Sequence, residues 1–347
     1  MCSPIWLYLF YFRGLYICAL MQVHRNIYNL PQFKNAVITI GTFDGVHTGH
    51  QEIIAQLNQE ANNIEGETVI ITFHPHPRKV ISSKNIFILT TLEEKIELLA
   101  AKGVDHLVVV PFDENFAHQT ADEYVTNFLY GKFKPHTVII GYDHRFGRDR
   151  QGDYHLLEDY GKKIRFIVKE IPEHLEHQVI VSSTRIREAL LASDIVTANE
   201  YLGYDYFFEG TVVEGNKLGR ELGYPTANLD IENKEKLVPG NGIYAVEVEM
   251  VKDQWSMVNN GEKVNSLLTT HGSRMKGMMS IGVRPTVDGK HRTIEVNIFD
   301  FDKDIYSKKM RVHVKHYLRA EVKFNTLDEL KDQMAKDKEE TLKRLTS

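Results

Sequence analysis

A chain of 347 residues can hold two domains of ordinary size, each with its own core. Its 42% apolar and 26% charged residues are those of a soluble globular protein, and a formal net charge of -5 without a run of like charges gives no reason to expect nucleic acid. The only cysteines, Cys2 and Cys18, exclude a disulfide framework and a cysteine-based metal site, and fit a reducing cytoplasm. Residues 1–20 are rich in aromatic and aliphatic side chains (Trp6, Tyr8, Phe10, Tyr11, Phe12), but Arg13 interrupts them and no basic residue precedes them. They match neither a membrane anchor nor a signal peptide. Met21 follows directly and is read as the working start, with 1–20 a non-native extension; no membrane partner is expected.

From there the first half alternates. Runs rich in β-branched residues at Ala36–Ile40, Thr68–Phe73, His106–Val110, Thr137–Ile140 and Ile164–Val168 predict strands. Between them Gln51–Asn62, Leu92–Ala101, Ala121–Tyr130 and Tyr154–Tyr160 predict helices. Apolar strands separated by amphipathic helices imply an α/β domain, a doubly wound parallel sheet whose ligands bind beyond the carboxyl ends of its strands. That rule selects the segments after Ile40, Ile71 and Ile140. Around Leu190–Leu202 the pattern changes, placing a domain boundary near 190–204. Phe208–Val213, Ile243–Met250, Met278–Val283, Thr293–Phe299 and Met310–Tyr317 then alternate between Gly-rich turns, predicting a mostly antiparallel barrel or sandwich. Leu327–Leu345 predicts a terminal helix, with Thr326 and Glu329 in capping-box spacing.

Gly41-Thr-Phe43-Asp44-Gly45-Val-His47-Thr-Gly49-His50 follows a buried-type strand and opens a helix. Its backbone N–H groups and the helix dipole can receive phosphate. The glycines allow close approach, and His47 and His50 share a side of the first turn, where both can donate to phosphate oxygens. Nucleotidyl transfer needs such donors where charge builds on the α-phosphate and the departing pyrophosphate. No third ligand stands at metal spacing, and neither a P-loop nor a G-x-G-x-x-G fingerprint occurs.

This string resembles the HxGH nucleotidyltransferase superfamily and, more closely, the FMN adenylyltransferase module of bacterial bifunctional riboflavin kinase/FAD synthetases. Phe73-His74-Pro75-His76-Pro77, Gly141-Tyr-Asp143-His144-Arg-Phe146-Gly147-Arg148 and Ser182-Ser183-Thr184-Arg-Ile-Arg187 are similar to further elements of that family, with His144 at a usual Phe position. The resemblance implies ATP binding by Gly41, Phe43, Asp44, Gly49, Ser182, Ser183 and Thr184, and catalysis by His47, His50 and Arg187. It implies flavin or nucleotide contacts at His74, Pro75, His76, Asp143, Phe146 and Arg148. Asp143 can accept from adenine, ribose or flavin; a phenylalanine such as Phe146 is more often a core residue than a stacking platform.

The second motif is Gly210-Thr-Val-Val-Glu-Gly215-Asn-Lys217-Leu-Gly219-Arg-Glu-Leu-Gly223-Tyr-Pro225-Thr226-Ala-Asn228, with four glycines in fourteen residues. Clustered N–H donors suit phosphates. Thr226 and Asn228, two apart in an extended segment, offer a hydroxyl and an amide oxygen suited to Mg²⁺. The string resembles the riboflavin kinase family. That resemblance implies ATP binding by Gly215, Lys217, Gly219, Gly223 and Pro225, Mg²⁺ at Thr226 and Asn228, and Glu295 as general base on the riboflavin 5′-hydroxyl. Ser280 stands where that family generally has Asn, and the 255–276 connection is longer than usual.

The expected domains are an adenylyltransferase over 21–190, a linker over 191–204 and a six-stranded β-barrel riboflavin kinase with a C-terminal helix over 205–347. The substrates and products are riboflavin, FMN, FAD and ATP, with Mg²⁺, and neither a nucleic-acid nor a membrane partner is expected. An HxGH enzyme adenylylating another phosphorylated substrate, and a non-catalytic flavin-binding protein, are the competing readings.

Overall fold

The computed structural model describes residues 21–82, 86–142, 144–171, 181–215, 219, 223–251, 258–259, 262–263, 273–286 and 289–346. The 1–20 segment, Asp143, Lys217 and most of the 255–276 connection lie outside them. The chain divides into two compact units between Val181 and Ser182.

The first unit is built on strands β1 (Gln22–His24), β2 (Val37–Ile40), β3 (Thr68–His74), β4 (His106–Pro111), β5 (Thr137–Gly141) and β6 (Ile167–Ile171). They form one sheet in the order β1-β4-β3-β2-β5-β6, with every neighbouring pair parallel. All four residues of β2 are buried, as a strand covered on both faces requires. On one face Ile38, Ile40, Ile71, Val108 and Ile140 pack with Tyr124, Val125, Phe128 and Leu157. On the other, Thr137 Oγ1 donates to Glu60 of helix α1 (Thr48–Asn63), and Thr72 Oγ1 accepts from Lys95 of helix α3 (Leu92–Ala100). Helix α2 (Pro77–Ile81) is a short turn between β3 and α3. The Tyr124–Leu129 side chains belong to a helical stretch made of α5 (Ala121–Glu123), a π-helical segment Tyr124–Tyr130 and α6 (Gly131–Phe133), preceded by the single turn α4 (Glu114–Ala117).

From β2 the chain builds outward to β3 and β4 in one direction and to β5 and β6 in the other. The topological switch therefore lies between β2 and β5, where such sheets open a crevice. The strand expected at Ile164–Val168 starts later. Helix α7 (Tyr154–Ile164) runs through Ile164, Arg165 turns left-handed at φ 66°, and Phe166 N–H closes onto the Gly161 carbonyl at 3.0 Å.

The second unit opens with helices α8 (Ser183–Leu191) and α9 (Ile195–Leu202). They are tied to the strands that follow: Gly240 N–H donates to Leu190 O at 2.9 Å, Tyr244 Oη to Ser193 Oγ at 2.8 Å, and Asn199 Nδ2 to Val314 O at 3.0 Å. Strands β7 (Phe207–Val213), β8 (Ala227–Asp230), β9 (Gly242–Met250), β12 (Met275–Thr286), β13 (Gly289–Ile298) and β14 (Lys309–Arg319) close a barrel in the order β12-β13-β8-β7-β14-β9, every pair antiparallel. A two-residue hairpin, β10 (Val258–Asn259) with β11 (Glu262–Lys263), lies between β9 and β12. Strand β8 is the barrel member that alternation did not predict; at four residues it is too short to display a period. Helix α10 (Leu327–Arg344) ends the fold; Thr326 Oγ1 accepts from Glu329 N–H at 3.2 Å, and Glu329 reaches back to Asn325 N–H at 3.0 Å.

Candidate functional site

In the first unit the Gly41–Val46 loop crosses the carboxyl end of the sheet beside the switch point. Phe43 (φ 48°) and Val46 (φ 38°) are left-handed non-glycine residues, and such strain persists only where the surroundings over-determine it. Here they do. Gly41 N–H donates to Ile71 O at 3.0 Å, and Gly45 N–H to Thr90 Oγ1 at 3.1 Å. The buried Asp44 carboxylate accepts from Leu89 N–H at 2.9 Å and Thr90 N–H at 3.0 Å. Lys95 Nζ donates to Thr42 O at 2.6 Å and to Thr72 Oγ1 at 3.3 Å.

The loop delivers His47 as the N-cap of α1, its Nδ1 accepting the backbone N–H of His50 at 3.4 Å. That bond places the proton of a neutral His47 ring on Nε2. The two imidazoles stack at 3.7 Å, and the Phe43 ring lies 4.9 Å from His50. Burial, then the neighbouring His47 and Lys95, hold His50 well below the usual imidazole value, so it is neutral at pH 7. Its Nδ1 is buried with no hydrogen-bond partner among the described residues. At the N-terminus of α1, such a nitrogen stands where a phosphate oxygen can be met.

Two further loops leave the adjacent strands. After β3, the exposed His74 precedes a cis Pro75, and His76 caps α2 by accepting Arg78 N–H at 3.2 Å. After β5, Phe146 is buried, stacked on Tyr124 at 4.9 Å, and bridged backbone to backbone with Gly152. It packs rather than presenting a face to solvent. Arg148 is exposed, its N–H donating to Gln119 O at 2.7 Å.

In the second unit Ser182 caps α8, accepting Arg185 N–H at 3.4 Å; Thr184 is exposed and Arg187 buried. On the barrel, one row across the strands pairs Val213 with Asn228, Asn228 with Glu295, and Glu295 with Ser280. Thr226 Oγ1 donates to Glu295 Oε2 at 3.3 Å. Hydroxyl, amide and carboxylate thus meet on adjacent strands. A Cβ on Gly215 would fall 2.0 Å from Asn228 Nδ2, so the glycine loop lies directly on that amide. Gly219 O accepts from Tyr224 N–H at 2.7 Å, Gly223 takes φ 81°, and Pro225 O accepts from Asn297 Nδ2 at 2.7 Å, pinning both ends of the turn.

The FAD synthetase family model matches residues 30–185, and the riboflavin kinase family model residues 202–345. The chain is 35% identical over 321 residues to the bifunctional riboflavin kinase/FMN adenylyltransferase of Haemophilus influenzae, covering 92% of this chain and 97% of that one. It is 35% identical over 320 residues to the Escherichia coli protein of the same name, covering 91% and 96%. The chain belongs to the bifunctional riboflavin kinase/FMN adenylyltransferase family. A crystal structure from Streptococcus pneumoniae, solved under the name macrolide-efflux protein, superposes with a TM-score of 0.79 at 29% identity over 93% of this chain and 98% of that one. Among the described residues no helix is long and apolar enough to cross a membrane.

Within the family frame, the sites expected from sequence fall into groups. Gly41, Phe43, Asp44, His47, Gly49 and His50 come together at the switch point, and Gly215, Gly219, Thr226, Asn228 and Glu295 come together on the barrel. Asp44 and Phe43 face inward, holding the loop. Sequence reasoning missed Lys95, Thr42, Thr72 and Thr90, the groups that support that loop. Lys95 alone carried a signal: it shares the buried face of α3 with Leu92, Ile96 and Leu99, where a lysine is out of place.

Proposed function

We propose that this protein phosphorylates riboflavin with ATP to FMN and ADP on the barrel, and adenylylates FMN with a second ATP to FAD and pyrophosphate at the HxGH loop. The observation carrying the pairing is that each family-matched segment holds its own built set of polar groups: the orphaned His50 at the switch point, and the Thr226–Glu295–Asn228 cluster on the barrel.

At the barrel, Glu295 takes the proton from the riboflavin 5′-hydroxyl as its oxygen bonds to the γ-phosphorus and the bond to the β-phosphate oxygen breaks. A positioned base of this kind contributes about 10²–10⁴-fold. The all-oxygen set of Thr226 and Asn228 beside a carboxylate fits Mg²⁺, which when bound neutralises charge on the transferring phosphates. The glycine loop from Gly215 to Gly223 and Pro225, with Lys217, is assigned to the ATP phosphates by resemblance.

At the HxGH loop, a phosphate oxygen of FMN bonds to the α-phosphorus as the bond to pyrophosphate breaks. At the N-terminus of α1, the side chains of His47 and the neutral His50 donate to oxygens on which charge develops. Ser182, Ser183, Thr184 and Arg187 are assigned by resemblance to the triphosphate, and His74, Pro75, His76, Asp143, Phe146 and Arg148 to flavin or nucleotide. The functional domains are proposed as 21–190 and 205–347, joined by 191–204, working in the cytoplasm on small molecules.

Incubating the protein with riboflavin and Mg-ATP and separating the flavins by chromatography tests the reading. FMN followed by FAD is expected. FMN without FAD would remove the adenylyltransferase half, and neither product would remove both.

A further inference from the structure

Lys95 is almost fully buried at 6% exposure, on the apolar side of α3. A buried ammonium is costly unless it is compensated. Its partners among the described residues all serve one place: Thr42 O within the Gly41–Val46 loop at 2.6 Å, Thr72 Oγ1 near the end of β3 at 3.3 Å, and the Asp44 carboxylate as the opposing charge. Thr72 Oγ1 itself donates to Thr42 O at 3.1 Å. The loop supported in this way is the one whose left-handed Phe43 and Val46 set the start of α1.

We propose that Lys95 is a positioning residue for adenylyl transfer: its ammonium anchors the Thr42 carbonyl, fixes the Phe43–Val46 backbone that aims His47 and His50, and stands as a fixed positive charge behind them. This rests on reading the HxGH loop as the adenylyltransferase site. The charged and titratable groups facing Lys95 are Asp44 from the loop and His50, stacked on His47, from α1; its contacts on β3 and at Thr42 are neutral. Burial pulls the Lys95 amine down to about 8, against the opposing pull of Asp44. Below that pH the anchor is charged; above it the proton leaves, and Thr42 loses its ionic donor.

The full-length protein, K95M and K95R are compared in separate FMN-to-FAD and riboflavin-to-FMN assays from pH 6.5 to 9.5, with thermal unfolding recorded for each. Wild-type FAD formation should fall through about pH 8, and K95R, whose guanidinium keeps its charge, should move that fall upward. K95M should form FAD about 10²-fold more slowly at pH 7.5, the loss typical of a reacting group displaced by about 1 Å. Riboflavin phosphorylation in K95M should stay within twofold. Three results would each overturn the proposal: K95M within threefold of wild type in FAD formation, a wild-type profile flat to pH 9.5, or superimposable K95R and wild-type profiles. If K95M fails to fold, the wild-type and K95R profiles decide. Wild-type protein that makes FMN but no FAD at any pH would instead remove the adenylyltransferase reading on which the proposal stands.

Discussion

Replacing Gly215 by alanine puts a methyl group against the kinase site at its tightest point. The new Cβ would lie 2.0 Å from Asn228 Nδ2, 2.5 Å from Cγ and 2.8 Å from Oδ1. Non-bonded atoms settle at about 3.5–4.0 Å, so the amide must retreat by roughly 1.5 Å. Its backbone cannot follow, because β8 is laced between Val213 on β7 and Glu295 on β13. The side chain therefore swings out of the Thr226–Glu295 cluster while the barrel stays intact. Misplacing a positioned group by about 1 Å costs roughly 10²-fold, near 2.7 kcal/mol of barrier. Riboflavin phosphorylation should fall by about that factor, with FMN adenylylation by the same preparation unchanged. Gly223 is the comparator: its φ of 81° strains an alanine, but among the described residues nothing lies within 4 Å of the added Cβ. G223A should cost about 1 kcal/mol of stability and less than tenfold in rate. Phosphorylation by G215A within threefold of wild type would refute the reasoning.

Other consequences reach the first unit. Asp44→Ala strips the acceptor from Leu89 and Thr90 N–H and the counter-charge from Lys95; it should destabilise by about 2–5 kcal/mol in denaturant titration and abolish FAD formation. Retained stability would count against the buried Asp44–Lys95 support. Phe146→Ala should cost about 3–5 kcal/mol, as a buried ring lost from its stack on Tyr124; a change under 1 kcal/mol would return Phe146 to the ligand side. His24 Nε2 and His106 Nδ1 lie 3.1 Å apart, and burial first of all, with His106 also acting on His24, holds both below the usual imidazole value. The stability of the neutral pair is complete above pH about 6.5 and is lost as pH falls through the lowered folded values, because the unfolded chain takes up protons first. The fall in melting temperature from pH 7.5 to 5.5 should be smaller in His24→Gln, and equal falls would contradict this.

Much of the fold was readable because its signals are local. Buried parallel strands such as Val37–Ile40 are continuous apolar runs, and α10 announces itself through its cap, Thr326, whereas the His47 cap that starts α1 at Thr48, ahead of the expected Gln51, carried no such signal. What escaped was short or decided by tertiary contact. Strand β1 has three residues and β8 four, too few for a period, and Ile164 reads as strand while serving as the last turn of α7. At the sites, residue types that meet phosphate were visible by spacing. Their supports were not, since Lys95 lies 53 positions from Thr42 and only the folded sheet brings them together. Asp44 shows the converse: it sits inside the most informative motif, yet its carboxylate is spent on Leu89 and Thr90.

Two chemistries at two separate sites is the claim on which everything else depends, and single-site variants test it most directly. His50→Ala and Glu295→Gln, each supplied with riboflavin and Mg-ATP and separately with FMN and Mg-ATP, should fail in opposite ways. His50→Ala should accumulate FMN and make no FAD from either flavin. Glu295→Gln should leave riboflavin unphosphorylated yet still convert FMN to FAD. Loss of both reactions in either folded variant would contradict the account.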